Sequence, residues 1–157
     1  MTRLTRTLAI TVVALLLLPG VLSSQATQGW LNPKGVVENV KPADIKWVRN
    51  AAGTQETVTL FGDPSKPGMY VQRLRWLPGN MSRPHFHPND RFFVVISGTW
   101  WMGTGEKFDP ENTVPVPAGS YVIHYGGKIH YDGAKNEETI IQVWGRAPAT
   151  STPAEKR

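Results

Sequence analysis

Short segments in which apolar and polar residues alternate, separated by turn residues, make up most of this chain. Residues 56–61 repeat with period two. So do residues 69–76, which place Tyr70, Gln72, Leu74 and Trp76 on one face and Val71, Arg73 and Arg75 on the other. The run 91–102 is dense in Phe, Val, Ile and Trp, and segments 120–124 and 139–144 complete the set. Turn signals fall between them at 62–64, 66–68, 78–80, 88–90, 103–105, 117–119 and Gly126-Gly127, each built on Gly, Pro, Asn or Asp. Many short strands with regularly spaced turns predict an all-β fold, a closed barrel or a sandwich. Beyond the first 26 residues no stretch carries helical periodicity.

The N-terminus follows a different pattern. Arg3 and Arg6 precede an apolar run from Leu8 to Leu18, Pro19-Gly20 breaks it, and Ser24-Gln25-Ala26 offers small residues for a signal peptidase. The run is short for a membrane span. A signal peptide over 1–26 is expected, with the mature chain starting at Thr27 and the protein secreted or periplasmic. The remainder reads as an irregular arm at 27–42, one domain at 43–146 and a flexible tail at 147–157, whose Ala, Thr, Pro and charged residues suggest fraying.

Composition removes several function classes. The chain has no Cys, which excludes disulfides, a thiolate metal site, a Cys nucleophile and a lipidated Cys. Arg3 and Arg6 fall in the leader, so 15 basic and 12 acidic residues remain beyond it, scattered and with a net charge of only +3. No nucleic-acid partner is expected, and no membrane partner once the leader is removed. Trp100 and Trp101 are adjacent and point to opposite faces of a strand: one is core, while the other covers a barrel end, packs a homodimer interface or contacts carbohydrate.

The four histidines carry the chemistry. His85 and His87 are two apart on an expected strand, so their imidazoles share a face and can bind one ion. His130 follows the Gly-Gly turn, which can bring a third imidazole from another strand. Imidazole suits Zn, Cu, Fe and Ni. His124 has three open roles: a fourth ligand, a proton shuttle or a surface residue.

Around these residues the chain resembles the cupin superfamily. The first cupin motif is Gly, five residues, His-x-His, three or four residues, Glu, six residues, Gly. Here Gly79, His85-Phe86-His87 and Gly98 keep that spacing, with Arg91 in the Glu position. The second motif, Pro-x-Gly, two residues, His, is matched by Gly127 and His130 with Tyr125 in place of Pro. The resemblance covers about 61–145. It extends more narrowly, through 62–68 and the strand around Arg73-Leu74-Arg75, to small single-domain cupins related to the cupin half of zinc-binding anti-sigma factors. It implies a small β-barrel, the double-stranded β-helix or jelly roll, with a single divalent transition metal on His85, His87 and His130. Iron or copper is favoured, with Zn, Mn or Ni as alternatives.

Losing the family's Glu leaves three neutral ligands and an open coordination position, a pattern associated with catalytic sites. Arg91 has two orientations open to it. Pointing inward beside a metal, it needs an anion, either from a substrate or from Asp90 turned in as a replacement ligand. If the strand slips by one residue, Arg91 faces solvent instead. Arg91, Gln72 and Tyr70 are the expected substrate-contacting residues. Three functions fit. The first is an oxidoreductase of the dioxygenase or oxidase type, using oxygen or peroxide on a small molecule, carbohydrate or phenolic. The second is a non-enzymatic metal- or ligand-binding or sensing module. The third is a Lewis-acid isomerase or lyase.

Overall fold

Each alternating segment becomes a strand. The computed structural model describes residues 37–156; the expected signal peptide and most of the expected N-terminal arm lie outside the described residues. The strands are β1 (Val48–Arg49), β2 (Gln55–Phe61), β3 (Gly68–Trp76), β4 (His85–Phe86), β5 (Arg91–Ser97), β6 (Thr99–Thr104), β7 (Val114–Pro117), β8 (Tyr121–His124), β9 (His130–Gly133), β10 (Thr139–Ala147) and β11 (Thr152–Pro153). They form a six-stranded sheet in the order β1-β2-β3-β10-β5-β8 and a five-stranded sheet in the order β11-β4-β9-β6-β7. All strand pairings among the described residues are antiparallel, and the described helical residues are two short 3-10 turns. This is the all-β, two-sheet architecture that the alternation predicts.

Period two decides what lies between the sheets. Tyr70, Leu74 and Trp76 of β3, Phe93 and Val95 of β5, and Ile141 and Val143 of β10 pack with Trp100 of β6 into one apolar cluster. Burying each of the larger of these side chains contributes roughly 1.5–3 kcal/mol. Trp100 is the core member of the Trp pair, while Trp101 is half-buried with the Lys135 ammonium 4.2 Å from its ring centroid. β3, β10 and β5 are neighbours, and their register sets Tyr70, Gly145 and Arg91 side by side.

Two glycines explain where a sequence-based boundary holds and where it moves. Gly98, with φ +72°, splits the run 91–102 into β5 and β6; a Cβ there would meet the Glu138 carbonyl oxygen at 2.3 Å. Gly103 was expected in a turn but lies inside β6 without a positive φ, because the Tyr131 ring lies over it and a Cβ would fall 2.2 Å from a ring carbon. The tail also departs from expectation. Rather than fraying, β11 pairs with β4, the Ala149 amide donates to the Pro64 carbonyl (2.8 Å), and Ala154 donates to Pro84 (2.9 Å). Arg83 and Glu155 form an ion pair there as well. Composition marked the segment as weakly apolar; backbone hydrogen bonds hold it.

Gly103→Ala is expected to lower stability by about 1–3 kcal/mol, the usual range for overpacking a filled site. Urea denaturation checks this; an unchanged midpoint would mean that the Tyr131 ring does not occupy that position.

Candidate metal centre

Two strands, β4 and β9, deliver the expected histidines to one place. β4 carries His85, and His87 follows just beyond it. β4 pairs with β9 at a single position, His85 opposite His130. One potential ligand atom from each of His85, His87 and His130 lies within 4.8 Å of the others, and His87 and His130 are buried. The three rings approach with centroids 4.9, 4.5 and 5.4 Å apart.

The backbone determines which nitrogen each ring presents. His85 Nδ1–H donates to the Arg83 carbonyl (2.8 Å), His87 Nδ1–H to the Thr150 carbonyl (2.8 Å) and His130 Nδ1–H to the Lys128 carbonyl (3.0 Å). A carbonyl oxygen can only accept, so each Nδ1 carries the proton and each neutral ring presents Nε2 as a lone pair. The Nε2 atoms of His85 and His87 stand 3.1 Å apart, and that of His130 is buried without a hydrogen-bond partner. Facing lone pairs at that distance repel unless a proton or a cation lies between them. Neighbouring nitrogens bound at about 2.0–2.1 Å to one ion stand roughly 2.8–3.4 Å apart, the lower end for octahedral and the upper for tetrahedral coordination. The donor set and its hydrogen-bonded carbonyls therefore fit a transition ion.

Burial keeps the inward-facing rings of His87, His130 and His124 neutral. Burial pushes the His87 imidazole down to about 3, and the adjacent Arg91 charge acts in the same direction. Burial likewise lowers His130, against the upward pull of Asp132. His124 is pushed down to about 2, by burial first and then by His130 and Arg91.

The remaining sequence-predicted residues divide. Arg91 faces inward: Phe92 stacks outside on Trp144 with centroids 6.1 Å apart, so the one-residue slip does not occur. The Arg91 guanidinium lies 5.1 Å from the Phe93 ring centroid and donates to His87 Nε2. Gln72 also lines the central cavity of about 580 Å³, together with Arg91, His85, His87, Leu74 and Trp76. Tyr70 does not line it. Although Tyr70 shares a face with Gln72, it is fully buried against the glycine gap at Gly145, with its hydroxyl unpartnered. Asp90 does not turn in as a ligand, because its carboxylate accepts the Gly126 amide (2.8 Å) and holds the Gly-Gly turn.

Two further residues lie here: His124, whose role the sequence leaves open, and Asp132, which escaped the sequence reading. His124 points inward across the ladder from Arg91, its ring 4.0 Å from that of His130. Asp132 is buried beside His130. A signal for Asp132 existed, since His130 and Asp132 have the same i, i+2 spacing on a strand that singled out His85 and His87.

No family model matches the chain, and no curated protein matches it. Solved structures do. The polyketide cyclase RemF from Streptomyces resistomycificus is 15% identical with a TM-score of 0.62, covering 77% of this chain and 87% of that one. An uncharacterized protein with a double-stranded β-helix domain from Klebsiella pneumoniae is 22% identical with a TM-score of 0.57, covering 76% and 100%. A Ralstonia eutropha protein of unknown function with a cupin-like fold is 22% identical with a TM-score of 0.58, covering 73% and 70%. At these identities the likeness concerns the fold.

Because the folded imidazoles of His87 and His124 titrate far below the ordinary 6.5, the unfolded chain binds more protons than the folded one as pH falls. Their contribution to stability is complete above 6.5 and is lost progressively toward about 3. Metal-stripped protein is therefore expected to melt at falling temperature from pH 6.5 to about 5, above the main carboxylate range. Replacing both residues with Gln is expected to flatten that slope; an equally steep slope in the double variant would contradict the assignment.

Proposed function

For this chain of the cupin fold, we propose that the barrel binds one divalent transition ion on His85, His87 and His130 and acts as a metal-dependent oxidoreductase on a small anionic substrate. The observation that supports it is the convergence of Nε2 lone pairs whose Nδ1 atoms are tied to backbone carbonyls. Three neutral imidazoles leave the ion its full charge and an open position, and iron or copper bound there would supply electron transfer toward oxygen or peroxide. The leader pattern supports export, where copper joins iron as a candidate.

The chain's own residues prepare the cavity for an anion. Arg91 is a planar fork that cannot readily lose its proton, and its Nε is buried without a partner. A substrate carboxylate or phenolate accepting from Arg91 takes the guanidinium off His87 Nε2 and frees that lone pair for the ion. Phe93, Leu74, Trp76 and Ile141 offer an apolar wall for the rest of the molecule, and Gln72 adds an amide at the rim, hydrogen-bonded to Thr59 (3.1 Å).

Metal analysis after loading with Fe(II) or Cu(II) is expected to give one ion per chain, with oxygen uptake in the presence of phenolic or carboxylate compounds. Protein that binds only zinc tightly and consumes no oxygen would overturn the oxidoreductase reading. Arg91→Ala is expected to keep the ion and weaken benzoate binding by about tenfold or more, the loss of one charge-assisted contact. Arg91→Glu is expected to tighten the ion and abolish benzoate binding. Unchanged ion and benzoate affinity in both variants would remove Arg91 from the site. Secreted material is expected to start near Thr27 on N-terminal sequencing; an intact Met1 in soluble cytoplasm would refute export.

A further inference from the structure

A second set of donors lies next to the first and uses one of the same residues. His124, His130 and Asp132 place one potential ligand atom each within 4.8 Å of one another. They come from β8 and β9, whereas His85 and His87 come from the β4 edge. His124 Nε2 lies 3.5 Å from the Met102 sulfur. A thioether only accepts, so Nε2 carries the proton and Nδ1 is left as a lone pair, buried and without a partner. The Asp132 carboxylate is only 7% exposed and accepts from Trp100 Nε1 (3.2 Å). Its Oδ2 stands 3.9 Å from His130 Nε2, beyond hydrogen-bond distance. Arg91, the nearby cation, donates to His87 instead. A buried carboxylate beside two imidazoles that each keep a buried, unpartnered nitrogen calls for a cation.

We infer that His124, His130 and Asp132 form a second, inner seat for the ion. It overlaps the His85–His87–His130 seat, so that the barrel holds one ion at a time in either place. The inference rests on the metal-binding reading of the outer triad. His130 enforces the exclusivity: its Nδ1 is committed to the Lys128 carbonyl, and its single Nε2 lone pair serves one ion. The two seats differ in charge. The outer one is neutral; the inner one supplies a carboxylate and two imidazoles, the donor set that suits Fe(II) with open positions. Within the fold, the carboxylate displaced from the usual strand position by Arg91 is supplied instead by Asp132 from the opposite sheet.

The test measures Co(II) and Fe(II) stoichiometry and affinity under anaerobic conditions, without any activity assay. Wild-type protein is expected to bind one ion per chain. His85→Ala/His87→Ala is expected still to bind one, about 10- to 100-fold more weakly and with an altered Co(II) visible spectrum, from a changed ligand set. Adding Asp132→Asn to that variant is expected to abolish binding, while Asp132→Asn alone keeps the wild-type ion count. Circular dichroism establishes that each variant is folded. If the double variant does not fold, His85→Ala alone serves, since it keeps the His87 bond to Thr150. A folded variant lacking the outer pair that binds no ion overturns the inner seat while leaving the outer one standing. Two ions per wild-type chain overturn the shared role of His130. No ion in wild-type protein overturns the metal-binding reading itself.

Discussion

The site rests on a constraint of hydrogen bonding: three imidazoles, two of them buried, each with one nitrogen spent on a backbone carbonyl, turn their remaining lone pairs toward one another. That arrangement is unfavourable without a positive partner, and the strands around it enforce it. The single β4–β9 pairing brings His85 opposite His130. The carbonyl of Thr150, in the segment leading to β11, orients His87. The C-terminal segment is therefore part of the site, although it contributes no side chain to the outer triad.

Arg91 is the second organising element. A guanidinium between imidazole lone pairs acts as a provisional cation, donating to His87 Nε2. On the proposed function it would also favour an anion, which by engaging Arg91 would release the His87 nitrogen for an ion. Charge in the barrel is thus arranged in two tiers, Arg91 with His85 and His87, and Asp132 with His124, the Asp132 carboxylate lining the same cavity as Arg91. The aromatic packing of His124 on Phe93 (4.6 Å) and Trp100 (5.3 Å) holds the inner tier rigid.

Close backbone approach makes the geometry possible. Gly126 lies where a Cβ would meet the Pro88 carbonyl oxygen at 2.6 Å, and Gly145 where it would meet that of Asp90 at 2.9 Å. These contacts press the 88–90 loop, just after His87, against two other segments. Asp90, which a motif reading offers as a ligand, is used instead to hold that loop to the Gly126 amide.

The amino-acid sequence alone marked the long alternating strands, β2, β3, β5, β6, β8 and β10, and singled out the three histidines that the fold brings together. Period-two alternation marks which side chains face in, and the i, i+2 spacing of His85 and His87 puts two imidazoles on one face whatever the rest of the chain does. It also carried the resemblance that pairs them with His130. It could not decide the course of the 147–156 segment, whose polar composition reads as fraying, because its order comes from backbone bonds to residues distant in sequence. Nor could it separate Tyr70 from Gln72: both lie on one face of β3, and depth in the barrel, set by Gly145 across the ladder, buries the first and leaves the second at the cavity. The role of His124 was equally hidden, since its neighbours Arg91, His130 and Asp132 reach it through strand pairing and the meeting of two sheets. Local periodicity assigns a side chain to a face; only the register and stacking of the sheets decide what it meets there.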